Sequence, residues 1–333
     1  MGRSGLRVSE ICLGTMVFGD EQGEGWGATR DEAKRIFDLY TERGGNFFDT
    51  ANNYCAGTSE RWLGELIREE RDRYVVATKY TAPSRFGDPN SGGNHRKALT
   101  QSLDASLKRL GTDYVDLYWV HVWEYLTPVD EVVRALDDAV RSGKVLYVGL
   151  SDTPAWVVSQ ANTLADLRGW SPAVAIQIQY SLLERTPERD LVPMADALDL
   201  GVLAWGPLAK GLLSGKYADG ADGAGNLSRD DHRFNERNLA IVAEVGSIAE
   251  QLGVRPVQVA LSWLRQRSDR VIPLVGARTA EQIAESLDSV EVELDQDQMQ
   301  RLNELSDVSL GFPHDMIRSL RQRHRAAPGG NIR

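Results

Sequence analysis

Short apolar runs alternate with longer amphipathic segments along almost the whole chain. The short runs are rich in β-branched and aromatic residues, whereas the longer segments repeat apolar positions with a helical period. Eight strand-and-helix pairs follow one another, an order that predicts parallel strands joined by helices. The predicted strands cover residues 11–17, 46–49, 74–79, 115–120, 145–150, 173–178, 201–205 and 271–275.

The predicted helices have recognisable ends. Several begin at Thr or Pro and stop at Gly, as helix-capping chemistry favours. Examples of the helices are residues 29–43, 96–110, 128–142 and 279–287, and the glycine stops are Gly44, Gly111, Gly143 and Gly169. Two connections are too long to be simple turns, residues 80–94 and 206–237, and long loops often carry function.

This order predicts a single α/β domain, a (β/α)8 TIM barrel over residues 1–309. An open, doubly wound sheet is the alternative, but no GxGxxG motif follows the first strand. No Pro/Ser-rich linker divides the chain. Residues 310–333 form a tail with five arginines, which we interpret as a partly disordered end or as a flap over the barrel mouth.

Composition narrows the possible functions. A net charge of −10 argues against a general nucleic-acid binder, which would need a basic surface. Two cysteines, Cys12 and Cys55, are too few for a disulfide framework and lack metal-ligand spacing, so we expect both reduced and no bound metal. We also expect no membrane span and a cytoplasmic location, because no long apolar segment or secretory signal is visible. Assembly into a homo-oligomer is left open.

Polar side chains stand at several predicted strand ends, where the loops of a barrel build its active site. Asp49 ends the second strand, Lys79 the third and His121 the fourth, and Tyr54 follows Asp49 in the same loop. Singly, these residues could be a turn aspartate, a rim lysine, a core histidine and a rim aromatic. Together they predict a site in which Lys79 stabilises the phenolate of Tyr54, Asp49 holds the ammonium and His121 donates a hydrogen bond to a substrate oxygen.

Ordered motifs carry a resemblance to a known family. They are GGNFFDTANNYCAGTSERWLG (44–64), VVATKY (75–80), DLYWVHVWE (116–124), GLSD (149–152), QIQYSLLER (177–185), LAWGPLAKGLLSGKY (203–217) and IPLVGARTAEQIAES (272–286). They resemble the aldo-keto reductase superfamily, in particular the bacterial branch that is similar to potassium-channel β subunits. The resemblance implies that Asp49, Tyr54, Lys79 and His121 form the family's catalytic tetrad, with Tyr54 as the general acid in carbonyl reduction.

The resemblance also implies an NADPH site. Ser151, Asp152 and Gln177 match residues that hold the nicotinamide carboxamide, and Trp205 matches the aromatic that stacks on the ring. A helix N-terminus beside Arg278 suits the 2′-phosphate, which favours NADPH over NADH. Departures from the family are Cys55 for glycine, Asp152 and Ser286 for asparagine, and Gly206 for serine. The remaining predicted cofactor contacts are Thr15, Met16, Asp49, Pro207, Leu208, Ala209, Lys210, Lys216, Gly276, Gln282 and Glu285.

Aromatic residues on or near the loops predict a pocket for apolar aldehydes and ketones, with sugar or polycyclic ketones also open. They are Phe18, Trp26, Tyr80, Phe86, Trp123 and Tyr125. The main prediction is therefore an NADPH-dependent oxidoreductase acting on a small carbonyl compound. One alternative is a cofactor-binding, redox-sensing regulatory subunit with little turnover. Another is an unrelated barrel hydrolase or isomerase, which would need paired carboxylates or metal ligands.

Overall fold

A computed structural model describes residues 1–19, 27–85, 87–217, 227 and 230–326 of the chain. Eight parallel strands in sequence order close into a barrel, because β1 pairs with both β2 and β8. The prediction of a (β/α)8 barrel is confirmed, and the open doubly wound sheet is wrong. The strands are β1 (Cys12–Gly14), β2 (Phe47–Asp49), β3 (Val75–Tyr80), β4 (Val115–Val120), β5 (Val145–Ser151), β6 (Ala173–Gln179), β7 (Gly201–Trp205) and β8 (Val271–Val275).

Helices cover the outside of the barrel. They are α1 (Arg30–Glu42), α2 (Thr58–Ile67), α3 (Arg96–Leu110), α4 (Val129–Arg141), α5 (Ala155–Arg168), α6 (Leu191–Ala197), α7 (Glu236–Leu252), α8 (Pro256–Arg265), α9 (Ala280–Leu287), α10 (Gln296–Leu305) and α11 (His314–Ala326). Short 3-10 turns lie at Tyr54–Gly57, Arg68–Arg73, Thr186–Arg189, Ala209–Ser214 and Asp288–Glu291. No described helix is both long enough and apolar enough to cross a bilayer.

The predicted helix ends depend on identifiable caps. The Thr29 hydroxyl accepts a hydrogen bond from the Glu32 amide at the start of α1, which satisfies one of the free N–H groups there. Gly111 and Gly169 close α3 and α5 in the left-handed conformation that glycine adopts without steric cost. The first strand is shorter than predicted, because the chain turns after Gly14 with a hydrogen bond from the Phe18 amide to the Thr15 carbonyl.

Every residue of β3 and β4 is buried, as expected for strands of a parallel sheet enclosed by helices. Side chains alternate along each strand, so that one set fills the barrel and the other packs against the helices. Among the described residues, the barrel interior holds Cys12, Phe47, Val75, Ala77, Leu117, Trp119, Val174, Ala175, Leu203 and Ile272. A larger apolar layer lies between strands and helices.

A buried charge cluster ties α2 and α3 to the barrel wall. Glu60 of α2 is completely buried, and its carboxylate accepts hydrogen bonds from the Thr78 hydroxyl at 2.6 Å and from Arg109 Nε at 2.5 Å. Thr78 belongs to β3 and Arg109 to α3. Because a buried carboxylate needs such partners, this cluster fixes how the two helices pack.

The tail beyond residue 309 contains the helix α11, so that it is structured as far as Ala326, and residues 327–333 lie outside the described part. Apolar side chains on and just before this helix are largely exposed, namely Phe312, Met316, Ile317 and Leu320. The segment just before it contacts the barrel, since Arg189 donates to the Ser309 carbonyl at 3.4 Å. A domain boundary at residue 309 and a role for the tail as a flap stay predictions.

Candidate active site

Four side chains from neighbouring loops and strand ends meet at the carboxyl end of the barrel. Lys79 Nζ is completely buried, forms an ion pair with the Asp49 carboxylate, and donates hydrogen bonds to the Thr50 carbonyl at 2.9 Å and to Tyr54 Oη at 3.1 Å. The rings of Tyr54 and His121 meet edge to face with centroids 5.9 Å apart. The structure thus brings together the four residues that the sequence singled out.

The loop after β2 holds Tyr54 in place through an unusual backbone. Cys55 and Ala56 have φ values of 46° and 49°, in the left-handed region, and Gly57 follows at 87°. Such values are costly for residues with a Cβ, and they turn the chain sharply after the tyrosine. Cys55 is buried, and its thiol donates to the Met16 carbonyl at 3.4 Å. This turn places the phenol over the end of β3.

Burial and charge set the protonation states of the cluster. Burial alone would lower the pKa of Lys79, but the negative charge of Asp49 and the phenol of Tyr54 raise it above its ordinary value. Burial raises the pKa of Tyr54, and the nearby Lys79 charge only partly opposes this effect. At neutral pH the lysine is therefore an ammonium and the tyrosine a neutral phenol, so that the phenol can donate a proton. The Lys79 charge thus favours the phenolate, as the sequence analysis assigns it to do, but burial has the larger effect on the pKa of Tyr54.

His121 is a neutral imidazole. Burial lowers the pKa of His121 to about 3, and the positive charge of Lys79 adds to the effect. The unfolded chain protonates this residue near pH 6.5 and the folded protein only near pH 3, so the unfolded state binds more protons between these values. The contribution of His121 to stability is therefore complete above about pH 6.5 and is lost as the pH falls toward 3.

We predict that His121 does not titrate between about pH 5 and 8, the range in which histidine usually changes charge. The measurement is a pH series of imidazole NMR spectra, in which the signal missing from the His121→Gln variant identifies His121. Its chemical shift should stay constant across this range. An inflection near pH 6.5 would contradict the prediction.

The predicted carboxamide-binding residues lie next to this cluster. Gln177 is buried and its side-chain amide donates to Asp49 Oδ1 at 3.0 Å, while Ser151 is buried at the end of β5. Trp205 Nε1 donates to Asp152 Oδ1 at 3.0 Å. Partial desolvation by the surrounding protein raises the pKa of the Asp152 carboxyl, whereas the Trp205 hydrogen bond and the Lys79 charge lower it. Ser151, Gln177 and Trp205 stand on the consecutive strands β5 to β7, and Asp152 directly follows β5.

The connection after β7 supplies a turn and basic side chains. Gly206 has φ of 64°, Ala209 49° and Lys210 57°, so that this segment winds tightly after the strand. Pro207 and Ala209 are buried, Leu208 is half-buried and Lys210 is exposed. The end of the Lys216 side chain lies against Gly211, 2.5 Å from where a Cβ would stand, and the φ of 88° at Gly211 favours glycine.

Two cations converge at the start of α9. Burial, and then the positive charge of Arg278, lower the pKa of Lys216. Two like charges held close together beside a helix N-terminus make a site that suits an anion. The Arg278 amide donates to Gln282 Oε1 at 2.9 Å, and Gly276 is exposed.

Other predicted cofactor residues have partners within the protein. Glu285 forms an ion pair with Arg255 at 3.4 Å, and the buried Ser286 hydroxyl donates to the Gln282 carbonyl of its own helix at 3.0 Å. Thr15 is completely buried and bonds Ser59 Oγ at 2.8 Å, whereas Met16 is exposed. Among these four residues, Met16 and Glu285 are partly open to solvent, whereas Thr15 and Ser286 are buried.

The predicted pocket residues are not all pocket walls. Phe18 and Tyr80 are completely buried in the apolar layer, and Tyr80 stacks on Tyr118 with ring centroids 5.3 Å apart. Neither side chain is exposed at the barrel mouth. Tyr80 follows Lys79 on β3, and because Lys79 points to the site, Tyr80 points to the helices. Trp26 and Phe86 lie outside the described residues.

An open cleft of about 330 Å³ lies beside Asp152. This volume is within the range of small-molecule sites. Trp123 and the exposed Tyr125, both in the loop after β4, form one wall, and their role in substrate binding stays a prediction. The sequence did not predict the rest of the lining, which comes from the loop after β5, the end of β6, the segment that follows β6 and the start of α6: Thr153, Pro154, Ile178, Gln179, Glu184, Thr186, Pro187 and Leu191.

Sequence reasoning also missed a hydroxyl network below the site. Ser59 of α2 contacts the hydroxyls of Thr15 and Thr50, each at 2.8 Å, and donates to the Thr15 carbonyl at 2.7 Å. It thereby joins the segments that follow β1 and β2. A serine on a helix gives no indication in the sequence of such a network, although Ser59 lies within the motif of residues 44–64 that also contains Tyr54. No group of described residues has the composition of a metal site.

Comparisons with known proteins agree with this architecture. A sequence profile of the aldo/keto reductase family matches residues 10–307. The chain is 36% identical to norsolorinic acid reductase stcV of Emericella nidulans, over 97% of this chain and 85% of that protein. It is 38% identical to the oxidoreductase YrpG of Bacillus subtilis, over 92% and 94%. It is 35% identical to an aryl-alcohol dehydrogenase [NADP(+)] of Phanerodontia chrysosporium, over 93% and 86%. The chain is therefore an oxidoreductase that belongs to the aldo/keto reductase family.

Proposed function

We propose that this protein reduces the carbonyl group of a small aromatic compound to an alcohol with NADPH, and that Tyr54 donates the proton. The observation that carries the proposal is the buried chain of contacts from Asp49 through Lys79 to Tyr54 Oη. A neutral phenol held by an ammonium is a suitable general acid, because the same ammonium stabilises the phenolate that forms.

The residues present fit a phosphorylated dinucleotide. Lys216 and Arg278 bring two positive charges together, and Gly211 leaves the space that the Lys216 side chain occupies. Phosphate groups would relieve the repulsion between these cations. Elsewhere at the barrel mouth, Trp205 offers an indole face, and Ser151 and Gln177 offer polar groups. When bound, the nicotinamide supplies a hydride to the carbonyl carbon.

The protein residues then have separate tasks. The neutral imidazole of His121 donates a hydrogen bond that orients the substrate oxygen, and Tyr54 passes its proton to that oxygen as negative charge develops. Lys79 holds the resulting phenolate until a solvent proton restores the phenol. Asp49 keeps the ammonium charged and in position throughout the cycle.

The cleft next to Asp152 supports an aromatic substrate. Trp123 and Tyr125 offer aromatic faces, and Pro154, Ile178 and Leu191 offer aliphatic surface. Relatives at 34–37% identity include reductases named for norsolorinic acid and dehydrogenases named for aryl alcohols. We extend this substrate class to the present protein.

The test is a panel of aromatic aldehydes and aryl ketones with NADPH, in which cofactor consumption and alcohol formation are both measured. The two should agree one to one, and consumption should stop without the carbonyl compound. Binding of NADPH without alcohol formation on the panel would support the redox-sensing alternative instead. Failure to bind NADPH would refute the proposal.

We predict that Arg278→Ala weakens NADPH binding by about 10- to 100-fold and leaves NADH binding nearly unchanged. The reason is the loss of one charge-assisted contact to the 2′-phosphate, a group that NADH lacks. Calorimetric titration of both cofactors measures the effect. Arg43→Ala is the control, since Arg43 forms an exposed pair with Asp288. An equal loss for both cofactors would show that the 2′-phosphate binds elsewhere.

A further inference from the structure

Asp152 holds a carboxylate at a fixed place in the mouth of the barrel. Its backbone amide donates to the Gln177 carbonyl at 3.0 Å, and its carbonyl accepts from the Trp123 amide at 3.3 Å. Its φ of 39° lies in the left-handed region, which aspartate and asparagine tolerate better than most residues. The side chain is open to solvent and accepts a hydrogen bond from Trp205 Nε1 at 3.0 Å. The carboxylate therefore stays beside the indole.

The charges around Asp152 do not balance. The Asp49 carboxylate and the Lys79 ammonium form a buried pair and cancel each other. His121 and Tyr54 are neutral at neutral pH. Asp152 therefore gives this part of the mouth a net negative charge, whereas the positive charges of Lys216 and Arg278 belong to the segments after β7 and β8.

We propose that Asp152 selects the oxidation state of the nicotinamide, because its carboxylate attracts the cationic oxidised ring and has no such attraction for the neutral reduced ring. This inference rests on the proposed function, in which the ring lies beside Trp205. Opposite charges a few ångströms apart near a protein surface change an affinity by about tenfold, even after screening. Asp152 is thus a specificity-determining residue for NADP⁺ over NADPH.

This preference for the oxidised cofactor affects how readily the bound cofactor donates its hydride. In carbonyl reduction a C–H bond of the dihydronicotinamide would break, and its hydrogen would move with the bonding electron pair, as a hydride, to the carbonyl carbon. The π electrons of the C=O bond would move to the oxygen, which would take the proton of Tyr54. The cofactor is oxidised and the carbonyl compound is reduced. Tighter binding of the oxidised ring therefore favours hydride donation and slows release of the oxidised cofactor. A tenfold preference corresponds to about 30 mV for a two-electron couple.

The experiment compares dissociation constants of NADP⁺ and NADPH by isothermal titration calorimetry at pH 8, where carboxylic acids are ionised. Asp152→Asn removes the charge, keeps an oxygen that accepts from Trp205, and suits the left-handed backbone. Asp152→Glu keeps the charge. The matched control is Asp166→Asn, an exposed position in the last turn of α5, at the other end of the barrel.

The preference for NADP⁺ over NADPH should fall about tenfold in Asp152→Asn, mainly through weaker NADP⁺ binding. Asp152→Glu should retain most of the preference, and Asp166→Asn should match the wild type. An unchanged ratio, or an equal loss for both cofactors in Asp152→Asn, would overturn this inference and leave the proposed function intact. If the wild type binds neither cofactor, both the proposed function and this inference fail.

Discussion

The Tyr54→Phe variant should lose turnover by about 10²- to 10⁴-fold and bind NADPH as the wild type does. Phenylalanine removes the proton donor, which acts in the transition state, whereas the ring and its contact with His121 remain. The Lys79 ammonium keeps its contacts with Asp49 and the Thr50 carbonyl, so that the fold should be retained. Single-turnover reduction rates and calorimetric NADPH titrations measure the two effects separately.

The matched control for this variant is Tyr114→Phe. Its hydroxyl donates to the Asp72 carboxylate at 3.1 Å just before β4, at the amino end of the barrel. Removal of that hydroxyl should leave turnover unchanged. If Tyr54→Phe retains wild-type turnover, another group donates the proton, and the assignment of Tyr54 as the general acid is wrong.

The Arg109→Met variant should reduce the free energy of unfolding by about 3–5 kcal/mol. It leaves the completely buried Glu60 carboxylate with Thr78 as its remaining partner in the cluster, and a buried charge that loses its counter-charge is strongly destabilising. Urea denaturation monitored by circular dichroism and by fluorescence measures the change. The double variant Glu60→Gln with Arg109→Met should recover part of the loss, because the uncompensated charge is then gone.

A surface ion pair provides the comparison. Arg96 and Asp138 contact each other on α3 and α4 with both side chains partly exposed, so that Arg96→Met should cost only about 0–1 kcal/mol. If Arg109→Met costs no more than Arg96→Met, the buried cluster does not hold α2 and α3 in the way described.

The sequence predicted the strands of the barrel well where a hydrophobic pattern is compatible with only one kind of secondary structure. The run Val115–Val120 is apolar enough for a strand covered on both faces, and its bounds agree with β4. Asp49, Lys79 and His121 could be placed together because parallel strands of a barrel end on the same face. The first strand was predicted too long, since periodicity does not reveal that residues 15–18 form a turn.

Contacts between side chains distant in sequence could not be predicted in this way. The bond between Asp152 and Trp205 joins residues 53 positions apart and depends on a left-handed backbone at Asp152. The Glu60–Arg109 pair likewise depends on how two helices pack. Tyr80 was a different case: the strict alternation of a strand, applied to Lys79, would have placed the tyrosine ring outside the barrel and excluded it from the pocket.

Pairing of β1 with β8 also has a consequence for association between molecules. A sheet that closes on itself leaves no strand edge with unpaired N–H and C=O groups. The eight described strands therefore offer no template on which a strand of another molecule could add, a common route to fibrous aggregates. Substitutions in the loops at the barrel mouth can consequently alter ligand preference without exposing a strand edge that would pair with another molecule.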